Sequence, residues 1–232
     1  RQLIVLGIFT GAVPFAAFAW GQVKVHSSVA GILFGATPIF TLLVAHFATS
    51  DERLTAHALA GVALGFAGVG LVVGPAAIGG LGDDLPSQGL ILLAAACLGF
   101  GSVYARRLHA QSPAAVAASQ AICAAAILVP LSLLLESPWR LSPGQDALAA
   151  VAALGVIGTA APVPAVFWLI RTVGATRTSL MAYFIPVVAV LVGVFALGEA
   201  PRISAIAGCA LIITGAAIAS RRATAAQEEA PR

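Results

Sequence analysis

Polar side chains inside long apolar stretches are the residues of this sequence that could bind a solute. Thr37 and Thr41 stand four residues apart, and so do Ser179 and Tyr183, which places each pair on one helix face. Gln120 lies among alanine, isoleucine and cysteine. A hydroxyl or amide in such surroundings needs a hydrogen-bond partner. These groups therefore either contact a small polar solute or bond to the backbone of their own or a neighbouring helix.

Two prolines lie in the middle of apolar stretches, Pro38 and Pro186. Proline lacks a backbone N–H, so the carbonyls of Phe34 and Ala182, four residues earlier, should lose their helical donors. A carbonyl released in this way serves as a hinge or a solute contact, or the proline is simply a packing kink. The sequence predicts Pro38 and Pro186 as hinges.

Chemistry of other kinds is not indicated. An intramembrane enzyme needs paired acids, a zinc motif or a Ser/His pair at depth, and the apolar stretches contain none. The four histidines show no metal-ligand spacing, and the three cysteines form no CxxC pair. Basic residues are scattered singly, which does not suit a nucleic-acid surface. We therefore expect no catalytic residue, no metal site, no cofactor and no nucleic-acid partner.

The composition requires a membrane, since 60% of the residues are hydrophobic and only 9% are charged. A helix needs about 20 apolar residues to cross the bilayer, and the sequence divides into eight such runs. They are residues 2–20, 29–49, 56–75, 88–105, 113–135, 147–168, 178–198 and 203–220. The sequence thus predicts an all-α, polytopic helical bundle in contact with membrane lipid.

Basic residues indicate the orientation of the bundle. Assigning the loops alternately to two sides places nine basic residues on one side and three on the other. The nine are Arg1, Arg53, Arg106, Arg107, Arg171, Arg177, Arg221, Arg222 and Arg232. The three are Lys24, Arg140 and Arg202. Because basic loops stay in the cytoplasm, we expect a multi-pass protein of the inner (plasma) membrane with both termini of this chain cytoplasmic.

The first part of the sequence returns about 148 residues later. Trp20 and Pro38 recur as Trp168 and Pro186, and Glu52 recurs as Glu199 after a slip of one residue. Each glutamate should stabilise the amino end of the helix that it precedes. Equivalent positions are separated by five membrane crossings, an odd number, so the two copies must be inverted relative to each other. Inverted repeats are typical of transporters that work by alternating access.

The repeats divide the chain into four regions. Residues 1–75 form a first repeat of three helices, 76–87 a linker, 88–220 a second repeat of five helices and 221–232 a polar cytoplasmic tail. The first repeat of the given chain lacks equivalents of the fourth and fifth spans, whose place in the repeat would be before residue 1. We therefore expect a ten-span parent protein with an inverted 5+5 repeat, of which this chain holds 3+5.

Several motifs carry a resemblance to a known family. They are GIFTGAVPFAAFAW (7–20), ATPIFTLLVAHF (36–47), AGVALGFAGVGLVV (60–73), GVIGTAAPVPAVFW (155–168), TSLMAYFIPVVAVLVGVFALGEAP (178–201) and AGCALIITGAAIA (207–219). The chain resembles the drug/metabolite transporter superfamily, specifically its EamA-like ten-span branch. The resemblance implies an exporter or importer of amino acids, other small metabolites or drugs, and we expect an exporter. It also implies that Ser102 and Tyr104, in the fourth span, help to line the cavity.

Two further expectations stay open. The leading hypothesis is a secondary transporter of a small-molecule solute, and the alternative is a truncated or degenerate membrane protein that does not transport. GxxxG steps such as Gly7/Gly11 and Gly61/Gly65 allow helices to approach closely. They are expected to pack the bundle internally and are also compatible with a homodimer.

Overall fold

The computed structural model describes residues 1–50, 52, 54–74, 79–140, 142–197 and 202–220. Every regular element in these ranges is helical. Glu199 and the predicted polar tail 221–232 lie outside the described residues.

Within the described ranges, eight helical segments are long and apolar enough to cross a membrane, which confirms the predicted bundle. They span Gln2–Gln22, Ser27–Ala48, Ala56–Val73, Leu85–Leu108, Pro113–Leu135, Gln145–Val173, Ala175–Ala196 and Ile203–Ser220. The third, fourth and fifth begin at side-chain caps, because Thr55, Asp84 and Ser112 each accept a hydrogen bond from a backbone N–H of the following first turn.

The boundary between the sixth and seventh spans was predicted wrongly. The sixth continues five residues beyond Trp168 to Val173, and the seventh begins at Ala175 rather than at residue 178. A single residue, Gly174, connects them with φ of +94°. Because glycine adopts positive φ without steric cost, one residue is enough to end one helix and begin the next.

The second and seventh spans are each broken ahead of their central proline. The second consists of helices Ser27–Phe34 and Thr37–Ala48. The seventh consists of helix Ala175–Ser179, a 3₁₀ turn Leu180–Tyr183 and helix Phe184–Leu197. Both breaks lie at equivalent positions of the duplicated sequence, as expected when a proline removes one helical hydrogen bond.

The first and sixth spans share a different irregularity. Helices Gln2–Gly7 and Val13–Gln22 are joined by a π-helical segment, Ile8–Ala12. Helices Gln145–Ala153 and Pro162–Val173 flank a second π-helical segment, Leu154–Ala160. These segments occupy equivalent positions of the two repeats, just ahead of Pro14 and Pro162. π-Helical turns are rare and occur preferentially at functional sites.

The third and eighth spans pack against each other along glycines. A Cβ added to Gly61 would stand 2.5 Å from the carbonyl oxygen of Gly215, and one added to Gly68 would stand 2.7 Å from that of Gly208. From Gly61 to Gly68 the residue number rises along the third span, while the contacted residue falls from Gly215 to Gly208 along the eighth. The two helices are therefore antiparallel. In the duplicated sequence Gly61 is equivalent to Gly208, and Gly68 is equivalent to Gly215. The contact between Gly61 and Gly215 is therefore the equivalent of the contact between Gly208 and Gly68. Equivalent helices thus meet in opposite directions, as an inverted repeat requires.

The end of the bundle that carries Arg106, Arg107, Arg171 and Arg177 is called here the arginine-rich end. Six spans meet near it in a buried apolar cluster, the end cluster. Its members are Leu6, Ala45, Val103, Ala105, Leu108, Val116, Ala117, Phe167, Ile170 and Ala175. They come from the first, second, fourth, fifth, sixth and seventh spans or the residues directly after them, so this end is closed by close packing.

Candidate functional site

Tyr183 lies in the 3₁₀ turn of the broken seventh span and is fully buried. Its hydroxyl donates a hydrogen bond of 3.2 Å to the carbonyl of Val62. Its ring lies against Gly65, where an added Cβ would stand 2.6 Å from the ring. The phenol therefore has a partner on the third span, as a tyrosine hydroxyl at this depth requires.

The predicted serine and threonine hydroxyls on the second and seventh spans bond within their own spans. Thr37 donates to the carbonyl of Phe34 at 2.7 Å, and Thr41 donates to the carbonyl of Thr37 at 2.9 Å. Ser179 donates to the carbonyl of Thr176 at 2.8 Å. The carbonyl that loses its backbone donor to Pro38 is thus bound by the hydroxyl of the adjacent Thr37. Such bonds are local ones that serine and threonine make readily.

The two broken spans contact each other at their irregular parts. Helix Thr37–Ala48 packs against both helix Ala175–Ser179 and the turn Leu180–Tyr183. The structure therefore brings four predicted residues, Thr37, Thr41, Ser179 and Tyr183, onto contacting segments from the two repeats. Pro38, which is fully buried, begins one of these segments, and Pro186 lies just beyond the other.

Gln120 is placed elsewhere, between the fifth span and the first. Its amide nitrogen donates at 2.8 Å to the carbonyl of Thr10, inside the π-helical segment. In an α-helix that carbonyl would bond to residue 14, but Pro14 has no N–H to donate. Within the described part of the chain, the amide oxygen of Gln120 is buried without a partner. The sequence analysis does not identify Thr10 as a partner of Gln120. Pro14, four residues later, is the signal that the Thr10 carbonyl lacks its α-helical donor.

Ser102 and Tyr104 are half-buried on the fourth span. Ser102 follows Gly101, a position where a Cβ would overlap the methyl group of Thr10. The ring of Tyr104 stacks on that of Phe100 at 6.0 Å, and the Arg107 guanidinium carbon lies 5.6 Å from its centroid. Tyr104 therefore combines an aromatic stack with a cation–π contact.

A cavity of about 430 Å³ opens beside Tyr104 at the arginine-rich end. Its lining includes the apolar side chains of Val44, Phe100 and Val103 and the basic residues Arg106 and Arg107. Among the described residues, no three histidine, cysteine, aspartate or glutamate side chains come together as a metal site would need. This cavity thus offers apolar contact and positive charge.

Glu52 connects three parts of the arginine-rich end. Its carboxylate accepts hydrogen bonds from the backbone N–H groups of Ala175 and Thr176, both at 2.9 Å, and from the Thr176 hydroxyl at 2.6 Å. It also forms an ion pair of 3.1 Å with Arg106. We expected Glu52 to stabilise the helix that it precedes, but that helix is capped by Thr55 and Glu52 binds the amino end of the seventh span instead. The partner lies 123 residues away, where local sequence patterns give no signal.

Known proteins resemble this chain in sequence and fold. The sequence model of the EamA-like transporter family matches residues 1–74 and 86–221. The aromatic amino acid exporter YddG of Ancylobacter novellus is 33% identical over 82% of this chain and 66% of its own length. The probable terminal-alkyne amino-acid exporter of Streptantibioticus cattleyicolor is 27% identical over 91% of this chain and 70% of its own length.

Two further comparisons concern length and fold. The uncharacterized inner membrane transporter YedA of Escherichia coli is 28% identical over 85% of this chain, and the match spans only 61% of YedA. A solved crystal structure superposes with a TM-score of 0.77 at 23% identity, over 95% of this chain and 76% of that one. The helical fold is therefore one that has been observed experimentally.

Proposed function

Since the chain belongs to the EamA-like transporter family, we propose that it moves a small organic solute across a membrane by alternating access between its two related halves. Residues 1–75 and 88–220 supply these halves. The geometry that carries the proposal is the antiparallel packing of the equivalent third and eighth spans at Gly61 and Gly215. Packing of this kind lies on a pseudo-two-fold axis, about which one half can rock against the other.

The broken second and seventh spans supply the parts that move in this proposal. Broken helices are tolerated inside a membrane where other protein or water covers them. Here Thr37–Ala48 contacts Leu180–Tyr183, so the two breaks adjoin each other. We assign Pro38 and Pro186 as hinges. The solute pathway takes Tyr183, Thr37, Thr41 and Ser179 from these spans, with Gln120, Ser102 and Tyr104 from their neighbours.

The solute class is proposed to be amino acids, and the direction export. Two relatives are named as exporters of amino acids, one of them aromatic. The cavity at the arginine-rich end suits such solutes, because Arg107 can attract a carboxylate and Phe100 offers an apolar surface. Other small metabolites and drugs share these features and belong in the same assay.

We also propose that the arginine-rich end faces the cytoplasm, in a cell's inner (plasma) membrane. Arg106, Arg107, Arg171 and Arg177 all flank spans at this end, against Lys24, Arg140 and Arg202 at the other. Basic loops of short length are retained in the cytoplasm. For an exporter, the cavity beside Tyr104 is then on the side from which the solute enters.

The test is a flux assay. Proteoliposomes or everted vesicles containing the full-length protein are mixed with a pool of labelled amino acids and small metabolites, with empty vesicles as the control. Accumulation of at least one solute, competed by its unlabelled form, supports the proposal. Absence of any protein-dependent flux across the pool, from protein that is folded and monodisperse, overturns it.

A further inference from the structure

We propose that Glu52 is a gating residue, whose carboxylate holds the arginine-rich end closed and must release its partners for solute to pass that end. The inference rests on the proposed function in one respect, since it assigns Glu52 to a step of alternating access. It goes further in naming the contact that controls this step.

The contacts of Glu52 join parts of the molecule that alternating access must separate. Glu52 lies in the connection between the second and third spans, in the first repeat. Its partners Ala175 and Thr176 begin the seventh span, and Arg106 directly follows the helix of the fourth span, both in the second repeat. One carboxylate therefore links both repeats through four hydrogen bonds, two of them to backbone.

The backbone at the start of the seventh span is shaped around this carboxylate. Gly174 has φ of +94°, and a Cβ at that position would overlap the Oε1 atom of Glu52. The Glu52 side chain is only 15% exposed and that of Arg106 26% exposed. Hydrogen bonds to a charged group in such partly shielded surroundings are among the stronger ones in proteins. The contact is therefore built into the fold rather than a loose surface pair.

Ala175 connects the carboxylate to the packing that closes this end. Its N–H binds Glu52, while its side chain is fully buried in the end cluster. The cluster also contains Leu6 and Ala45 from the first repeat and Phe167 and Ile170 from the second. For Ala175 to leave the end cluster, the hydrogen bond from the Ala175 N–H to the Glu52 carboxylate must therefore break.

The contact can also open reversibly. Glu52 sits at the end of the bundle, beside the 430 Å³ cavity that Arg106 and Ser50 help to line. A carboxylate that leaves Ala175 and Thr176 can be solvated there, whereas the same group at mid-depth could not. The energy of opening is then set by the exchange of protein hydrogen bonds for water, which is typically small enough for a gate.

The experiment measures access to the end cluster from the arginine-rich side. Ala45→Cys places a thiol in the cluster, and Ala30→Cys places a matched thiol in the same span toward the other end; both alanines are fully buried. Each is made in the full chain with Cys97, Cys123 and Cys209 changed to alanine. The rate of reaction with a membrane-impermeant maleimide is measured in right-side-out and in everted vesicles.

We expect Glu52→Gln to raise the labelling rate of Ala45→Cys from the arginine-rich side by about tenfold. The loss of charge-assisted hydrogen bonds destabilises the closed state relative to the open one and so increases the population of the open state. Ala30→Cys should be unaffected. Glu136→Gln is the control, because Glu136 is an exposed carboxylate whose one hydrogen bond among the described residues is local, accepted from Ser132. An unchanged rate at Ala45→Cys, or an equal rise at both cysteines, overturns the proposal.

Thr176→Val is the second variant, for the case in which Glu52→Gln does not fold. It removes the shortest bond to the carboxylate and leaves both backbone donors in place. A several-fold, one-sided rise in labelling is expected, and the same two results would overturn the proposal. Because the labelling needs no solute, its outcome is independent of the flux assay, and failure of one does not imply failure of the other.

Discussion

Gly61 and Gly215 approach so closely that a Cβ on Gly61 would stand 2.5 Å from the carbonyl oxygen of Gly215 and 2.6 Å from the nitrogen of Ala219. Both atoms belong to the backbone of the eighth span and cannot turn aside as a side chain could. The repeat generates a second contact of this kind between Gly68 and Gly208. Backbone proximity of this order is how small residues hold membrane helices together.

Gly61→Ala should therefore destabilise the protein by about 1–3 kcal/mol, the usual cost of overpacking. Gly70→Ala, on the same helix, is the control, because no described atom beyond its chain neighbours and its own helix backbone lies within 4 Å of the added Cβ. The midpoint of thermal unfolding in detergent measures both. Equal midpoints for the two variants would contradict the assignment of Gly61 to the helix contact.

Gln120→Leu should cost about 0.5–2 kcal/mol of stability, since it removes the amide that donates to the carbonyl of Thr10. Pro14→Ala restores a backbone N–H four residues after Thr10. The double variant should therefore lose less stability than the sum of the single changes. Ser119→Ala serves as the control, because its exposed hydroxyl donates to the carbonyl of Ala115 on its own helix and to no other group in the described part of the chain. Strict additivity in the double variant would show that the two groups do not share the Thr10 carbonyl.

Tyr183→Phe keeps the ring against Gly65 and removes only the hydroxyl that binds Val62. Stability should fall by about 0.5–1.5 kcal/mol, and the flux of the identified solute should fall with it. Tyr104→Phe, on a half-exposed ring, is the comparison for stability. Unaltered solute flux in Tyr183→Phe would remove this hydroxyl from the solute pathway.

Pro38→Ala tests the hinge. It supplies an N–H for the carbonyl of Phe34, now held by Thr37, so the second span can become continuous. Transport should slow by about tenfold, a change of 1.4 kcal/mol in the barrier, while the protein becomes no less stable. Pro130→Ala is the control, because Pro130 lies inside a fifth span that stays an unbroken helix. Equal flux in both variants would make Pro38 a packing kink.

The orientation has its own test. Ala110→Cys places a thiol in the exposed turn after the fourth span, and Ser28→Cys places one at the exposed start of the second. With the native cysteines replaced by alanine, an impermeant maleimide should label Ala110→Cys in everted vesicles and Ser28→Cys in intact cells. The reverse pattern would place the arginine-rich end outside.

Local chemistry explains which features the sequence could predict. The breaks near Pro38 and Pro186 follow from a missing N–H, and the eight spans follow from apolar length. The single-residue connection at Gly174 depends on positive φ, which sequence does not specify. The bond from Gln120 to Thr10 and the bonds from Glu52 to Ala175 and Thr176 join groups more than 100 residues apart. Those partners are set by tertiary packing, which periodicity does not determine.

The one-residue connection at Gly174 has a mechanical consequence. Because no loop separates the sixth and seventh spans, a change in the angle between them has to occur at Gly174. Neither helix can therefore tilt far without displacing the other. The sixth span has only 6% of its most apolar stretch buried among the described residues, so a displacement of this helix would also move Ala175, the first residue of the seventh span.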